Sequence, residues 1–180
     1  MDAHALTNEL NDLLSVETRS MLEHLHESTP HVDASTYRIW KDLQSLAHRD
    51  TDHAARLSAL LSRLNLPERP RPFPQSVGNF HFMTLQRIVP LLVDEKSRQV
   101  AAYSRAVAHA GTELDVISEL ESLRADNEAE LKQLEKFRAA LSHAAGVAHA
   151  AAPSQSGDIT YGGALAVAAK ASQNAKAGKA

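Results

Sequence analysis

The sequence predicts an all-α protein: an antiparallel four-helix bundle with one long crossover between its second and third helices. Three observations carry that expectation. Leu, Ala, Glu and Arg outweigh β-branched residues, and aromatic residues make up only 4% of the 180 positions, a balance that favours helix over sheet. Four segments repeat apolar residues at spacings of three and four, which aligns them along one helical face. The breaks between these segments are unequal, two being short turns and the middle one a long proline-rich link. A chain of this length suits one domain with a sizeable core.

The first helix is expected from about residue 4 to 27, ending before Ser28-Thr29-Pro30. The second runs from about 34 to 64, with Asp33 or Ser35 placed to cap its first turn. It stops at Asn65-Leu66-Pro67, and the passage from Pro67 to Pro74 is too rich in proline to be helical. A third helix follows from about 77 to 109, where Pro90 removes one backbone hydrogen bond and implies a kink or a late start. Gly111-Thr112 makes the next turn, Thr112 with Asp115 resembles a capping box, and the fourth helix covers about 113 to 143.

Short turns make helices 1 and 2, and helices 3 and 4, antiparallel hairpins. The middle link of about 12 residues extends roughly 40 Å at about 3.3 Å per residue. A helix of about 30 residues is roughly 45 Å long, so the link can run from one end of the bundle to the other. The bundle thus occupies residues 1–143. Residues 144–180 form a low-complexity Ala/Gly/Ser/Lys tail, for which composition predicts disorder; a short docking helix around Gly163 to Ala171 is the alternative.

Composition also excludes classes of function. With no cysteine, disulfides, thiolate metal sites and thiol nucleophiles are all removed, leaving oxygen and imidazole as metal ligands. There is no serine elbow and no glycine-rich phosphate loop. The start Met1-Asp2-Ala3-His4 lacks a basic segment followed by an apolar run, and no stretch approaches about 18 uninterrupted apolar residues. A soluble, cytoplasmic protein without a membrane partner is the expectation. Formal net charge is −3, and the tail is basic through Lys170, Lys176 and Lys179 against Asp158. This is too weak for a clear nucleic-acid footprint, though the tail leaves contact with some other partner open.

Each apolar stripe is interrupted near its middle by polar residues. Helix 1 carries Leu6, Leu10, Leu13, Glu17, Met21 and His24 on one face, and helix 2 carries Leu43, Leu46, Asp50, His53, Leu57 and Leu60. In helix 3 the stripe is read as Leu85, Ile88, Leu92, Glu95, Gln99 and Ala102, and in helix 4 as Val116, Leu120, Leu123, Asn127, Glu130 and Leu134. Glu95 and Asn127 each lie 16 residues from Gly111, so folding the hairpin brings them to one height. The midpoint of Glu17 and Asp50 falls likewise at the edge of the first turn. In this reading no Lys or Arg occupies the four central positions. Converging carboxylates and an imidazole without a basic partner call for protonation or a bound cation, and suit iron or manganese.

These residues resemble the ferritin-like superfamily, nearest to bacterioferritin-type di-iron carboxylate bundles. The family pattern is a Glu on helix 1, Glu-x-x-His on helix 2, a Glu on helix 3 and Glu-x-x-His on helix 4. The matching positions here are Glu17, Asp50-Thr51-Asp52-His53, Glu95 and Asn127-Glu128-Ala129-Glu130. The resemblance covers about residues 5 to 140 and includes the helix 2 exit, Leu60 to Pro67, and Tyr103 eight residues after Glu95.

It implies one or two iron ions, or manganese or another divalent cation, held by Glu17, Asp50, His53, Glu95, Glu130 and Asn127. The implied activity is ferroxidase-like: iron(II) oxidation, storage or detoxification in a homo-oligomer. The helix 4 motif is altered, since Asn127 replaces a bridging Glu and Glu130 the second His. Thr51 stands at the position of the family's haem-ligating Met, so no haem is expected. The alternative is a degenerate bundle, serving as a structural or interaction module without redox activity.

Overall fold

The computed structural model describes residues 3–28, 30–69 and 83–151. Its elements are α1 (Ala3–Glu17), α2 (Met21–Glu27), α3 (Tyr37–Arg63), α4 (Leu85–His109) and α5 (Leu114–Ala151). Among the described residues there is no strand, and the one β-bridge is an isolated parallel pair, His31 with Thr84. The helices make four arms, α1 and α2 together forming the first. The chain divides into a compact unit, Met1–Gly146, and a second, Val147–Ala180. The expected tail beyond residue 151 lies outside the described residues.

The first arm is not the continuous helix expected from the periodicity. It breaks at Thr18-Arg19-Ser20, directly after Glu17. Ser20 adopts an extended backbone and its hydroxyl accepts a hydrogen bond from Glu23 N, as an N-cap does. Met21 N, a second free donor of the new helix start, donates to Glu95 Oε2 at 2.8 Å. Two free donors at the start of α2 are therefore satisfied, and α2 continues the apolar face through Leu22 and Leu25.

Asp33 acts one turn before α3. Its carboxylate accepts from the backbone N–H groups of Ser35 and Thr36 and from both hydroxyls, and Tyr37 N donates to its carbonyl. At the other end of α3, Leu66 N donates to Leu61 O and Asn65 N to Ser62 O, with Asn65 at φ 53°. This is a Schellman close, in which Asn takes the left-handed position usual for glycine. Helix α4 starts at Leu85, and Pro90 sits within its second turn. Gly111, at φ 70°, makes the turn before α5.

The link between α3 and α4 is anchored at each described end. Asn11 on α1 donates to Pro67 O at 3.0 Å and accepts from Arg69 N. Further on, His31, beyond α2, donates its backbone N–H to Met83 O at 3.1 Å. Residues 70–82 lie outside the described residues.

The core consists of two apolar clusters. One gathers Leu22, Leu43, Leu46, Ile88, Leu92 and Leu134 with their neighbours; the other gathers Leu10, Leu13, Leu57, Leu60, Ala106 and Leu120 with theirs. In every arm the residues between the two sets are polar and buried: Glu17, Asp50 and His53, Lys96 and Gln99, Asn127 and Glu130. A single polar layer therefore interrupts an otherwise leucine-rich interior.

Candidate metal centre

Five of the six residues expected at the centre are buried in this layer. Glu17, Asp50, Asn127 and Glu130 are at most 1% exposed and His53 is 4% exposed. Helix α3 contributes Asp50 and His53 one turn apart, α5 contributes Asn127 and Glu130 in the same relation, and α1 ends on Glu17.

Helix α4 differs from the expectation. Its buried face runs Leu85, Ile88, Val89, Leu92, Val93, Lys96, Gln99, Tyr103 and Ala106. Lys96 points inward instead of Glu95, so the centre has an internal cation, contrary to the reading that no basic residue occupies the layer. Glu95 sits at the edge of that face, where its carboxylate caps α2 through Met21 N. The missed signal is the continuous three- and four-residue spacing through Leu92, Lys96, Gln99 and Tyr103. Lysine's charge disguises it as a surface position.

The Lys96 ammonium is 2.7 Å from Asp50 Oδ1 and 3.0 Å from Asn127 Oδ1, both hydrogen bonds. It also lies 2.9 Å from Glu130 Oε2 as an ion contact, without hydrogen-bond alignment at that oxygen. Burial alone would lower its pKa, but the charges of Asp50, Glu130 and Glu17 prevail and raise it. Lys96 is therefore a fixed positive charge at working pH.

Glu17 forms the other half of the layer. Its Oε1 accepts from the Tyr103 hydroxyl at 2.7 Å and from Asn127 Nδ2 at 3.2 Å, and it lies 3.8 Å from His53 Nδ1. Burial pushes its pKa up, but His53, the Lys96 charge and the Tyr103 hydroxyl outweigh that and hold it below the usual value. Asp50 goes the other way. Burial raises it to about 6 against the pull of Lys96, helped by the nearby Glu17 and Glu130 charges. For His53, burial is outweighed by the neighbouring Glu17 carboxylate and the Glu130 and Asp50 charges, so its pKa is raised. Burial, followed by Glu17, raises that of Tyr103.

Asn127 joins the two halves. Its carbonyl accepts from Lys96, and its amide donates to Glu17 and to Leu123 O. A carboxylate there could accept from Lys96 but could not donate to Glu17, so the neutral amide matches these two neighbours. Toward the surface, Arg49 lies 3.5 Å from Glu130. His53 Nε2 is 3.9 Å from Asp126, which Arg56 holds at 2.9 Å. Thr51 faces outward and its hydroxyl bonds Glu23.

Glu17, Asp50 and His53 each offer one ligand atom, all within 4.8 Å of one another. Ligands about 2.0–2.2 Å from a common transition-metal ion are separated by up to about 4.4 Å, so a small closure would complete the set. Glu17 Oε2 and Asp50 Oδ2 are buried without a hydrogen-bond partner, and burying such oxygens unmatched is costly. Two carboxylates and an imidazole suit iron, manganese or zinc. The residues present thus fit a single divalent cation. Comparison with known proteins gives no lead, as no protein-family model, curated protein or solved structure matches the chain.

Proposed function

We propose that this chain is a ferritin-like bundle holding one divalent transition-metal ion on Glu17, Asp50 and His53. In this reading Lys96 supplies the second positive charge of the centre. The long link from α3 to α4 is then the ferritin-like crossover, leaving beside α1 and arriving beyond α2, as its bonds to Asn11 and His31 suggest.

The observation that carries the proposal is the uncompensated charge around three converging ligand atoms. Glu17, Asp50 and Glu130, set against the Lys96 ammonium inside the layer and the partly exposed Arg49 guanidinium at its edge, leave the layer with negative charge in excess when they are ionised and His53 is neutral. One divalent cation offsets that excess. Without one, the layer takes up protons, consistent with the raised pKa values of Asp50 and His53.

A bound ion would supply Lewis acidity, or with iron or manganese one-electron chemistry toward oxygen or peroxide. The protein residues have separable tasks. Glu17, Asp50 and His53 would hold the ion, Lys96 and Asn127 orient Asp50 and Glu17, and Tyr103 fixes the rotamer of Glu17. Iron(II) oxidation, storage or detoxification is the activity this reading implies. The internal Lys96 favours one second reading, a self-neutralised bundle that serves as a structural or interaction module.

Chelator-treated protein titrated anaerobically with iron(II), manganese(II) or zinc(II) separates them. The expected result is saturable binding near one ion per chain, lost in His53→Ala. Binding should release protons from Asp50 and His53, so affinity should rise as pH increases through about 6, where Asp50 titrates, and on past the ordinary imidazole range. Absence of saturable binding by all three ions would leave the structural module as the surviving reading.

A further inference from the structure

A cavity of about 460 Å³ lies where α2 ends and α3 begins, a volume within the range of about 300–1,000 Å³ usual for small-molecule sites. Its walls are apolar at Pro30, Val32 and Ala34 and aromatic at Tyr37 and Trp40, and Asp33 is the one charged side chain among the described lining residues. Tyr37 and Trp40 stand three residues apart on α3 and so share a face. Asp33 precedes Tyr37 by one turn, its carbonyl accepting from Tyr37 N. Trp40 and Val32 pack against the apolar core, which fixes that wall, whereas Tyr37 is 55% exposed. The polar groups here are few and mostly engaged. The Ser28 hydroxyl donates to Leu25 O at 3.0 Å. The four hydrogen bonds that the Asp33 carboxylate accepts from Ser35 and Thr36 all fall on Oδ1. They hold its pKa down at about 2, so the group is ionised, and Oδ2 takes none of them. One cation already meets this wall: the Lys41 ammonium lies over the Tyr37 ring, 5.9 Å from its centroid.

We propose that this cavity binds a small quaternary ammonium cation, held against Tyr37 and Trp40 and beside Asp33. Aromatic faces attract cations through the ring quadrupole, most strongly where the cation sheds water. A primary ammonium carries three N–H donors, which Oδ2 alone cannot match, and leaving them unpaired is costly. A fully methylated cation has none to leave unpaired, and its methyl groups suit the apolar wall. The carbonyl end of α2 at Ser28 and the N–H end of α3 meet at the cavity with opposed partial charges, which leaves Asp33 to set its sign. Lys41 competes for the Tyr37 face, but it is exposed and its long flexible stem can swing aside. None of Glu17, Asp50 and His53 lines the cavity, so the proposal stands apart from the metal reading.

Trp40 is the only tryptophan of the chain, so its emission reports the site directly. The test is fluorescence titration of the full chain with tetramethylammonium chloride at constant ionic strength. Tert-butanol serves as the uncharged counterpart and methylammonium as the cation that keeps its N–H groups. The expected result is a saturable change with tetramethylammonium, binding at least about fivefold weaker for either control, and a loss of about fivefold in Asp33→Asn and in Tyr37→Leu. Asparagine keeps an oxygen to accept from Ser35 and Thr36, and Tyr37 is largely exposed, so both variants should keep the parent's urea midpoint. Lys41→Gln, which removes the competing ammonium, should bind tetramethylammonium at least as tightly as the parent. Failure of tetramethylammonium to saturate, equal binding of tert-butanol or methylammonium, full affinity in Asp33→Asn and Tyr37→Leu, or weakened binding in Lys41→Gln would overturn the proposal.

Discussion

Lys96→Met is expected to destabilise the metal-free protein by about 3–5 kcal/mol, because it leaves buried carboxylates without their cation. That is a large part of the roughly 5–15 kcal/mol typical of a folded domain. Asp50 loses a 2.7 Å partner and Glu130 a 2.9 Å one, while Asn127 loses the donor to its carbonyl. Methionine approximates the length and volume of the lysine stem, so packing loss contributes little. Urea melts with and without manganese(II) or zinc(II) check both halves of the idea. Divalent ions should rescue the variant more strongly than the parent, and binding should rise from one ion per chain toward two. A variant as stable as the parent would show that Lys96 does not hold the layer together. Equal metal stoichiometry would show that it does not stand in a cation's place.

Glu95→Gln should change how stability varies with pH. Burial pushes the Glu95 carboxyl from its ordinary 4.5 up to about 7, against the pull of its bond to Met21 N and the charge of Lys96. Between those values the folded chain keeps a proton that the unfolded chain has released, so stability falls as pH rises from about 4.5 to about 7. Asp50 and His53, also raised, act in the same direction. Glu17, lowered, opposes them only below the ordinary carboxylate range. The substituted amide stays neutral throughout and retains an oxygen to accept from Met21 N. At pH 8 the variant should exceed the parent by about 2 kcal/mol, and at pH 4 the two should be nearly equal. Denaturant midpoints at both values measure this, and parallel pH profiles would refute it.

The helical arms were legible because Leu-rich stripes with three- and four-residue spacing leave little freedom about which face is buried. That logic placed Glu17, Asp50, His53, Asn127 and Glu130 in the core from sequence alone. It fails on α4 because Glu95 and Lys96 are adjacent, and Glu95 equally continues the three- and four-residue spacing of Leu85, Ile88 and Leu92. The heptad-like run Leu85, Leu92, Lys96, Gln99, Tyr103 favours Lys96 once its charge is set aside. The break after Glu17 was hidden for a different reason: Met21 and His24 continue the stripe across it. Its local signal was nonetheless present, in Ser20 followed three residues later by Glu23, a spacing that starts helices. The bond from Met21 N to Glu95 joins residues 74 apart in sequence, and no local pattern encodes it.

That bond bears on how the interior is reached. Seven residues are too few for a helix to persist by itself in water, so α2 relies on Ser20, on Glu95 and on the seating of Leu22 and Leu25. Among the described helices it is accordingly expected to open most readily, and its amides should exchange with deuterium well before those of α3 and α4. Each such excursion would uncover the side of Glu17 nearest the break while the longer helices stay paired. The interruption in the first arm is thus expected to confine the earliest opening to one short helix while the rest of the bundle stays assembled.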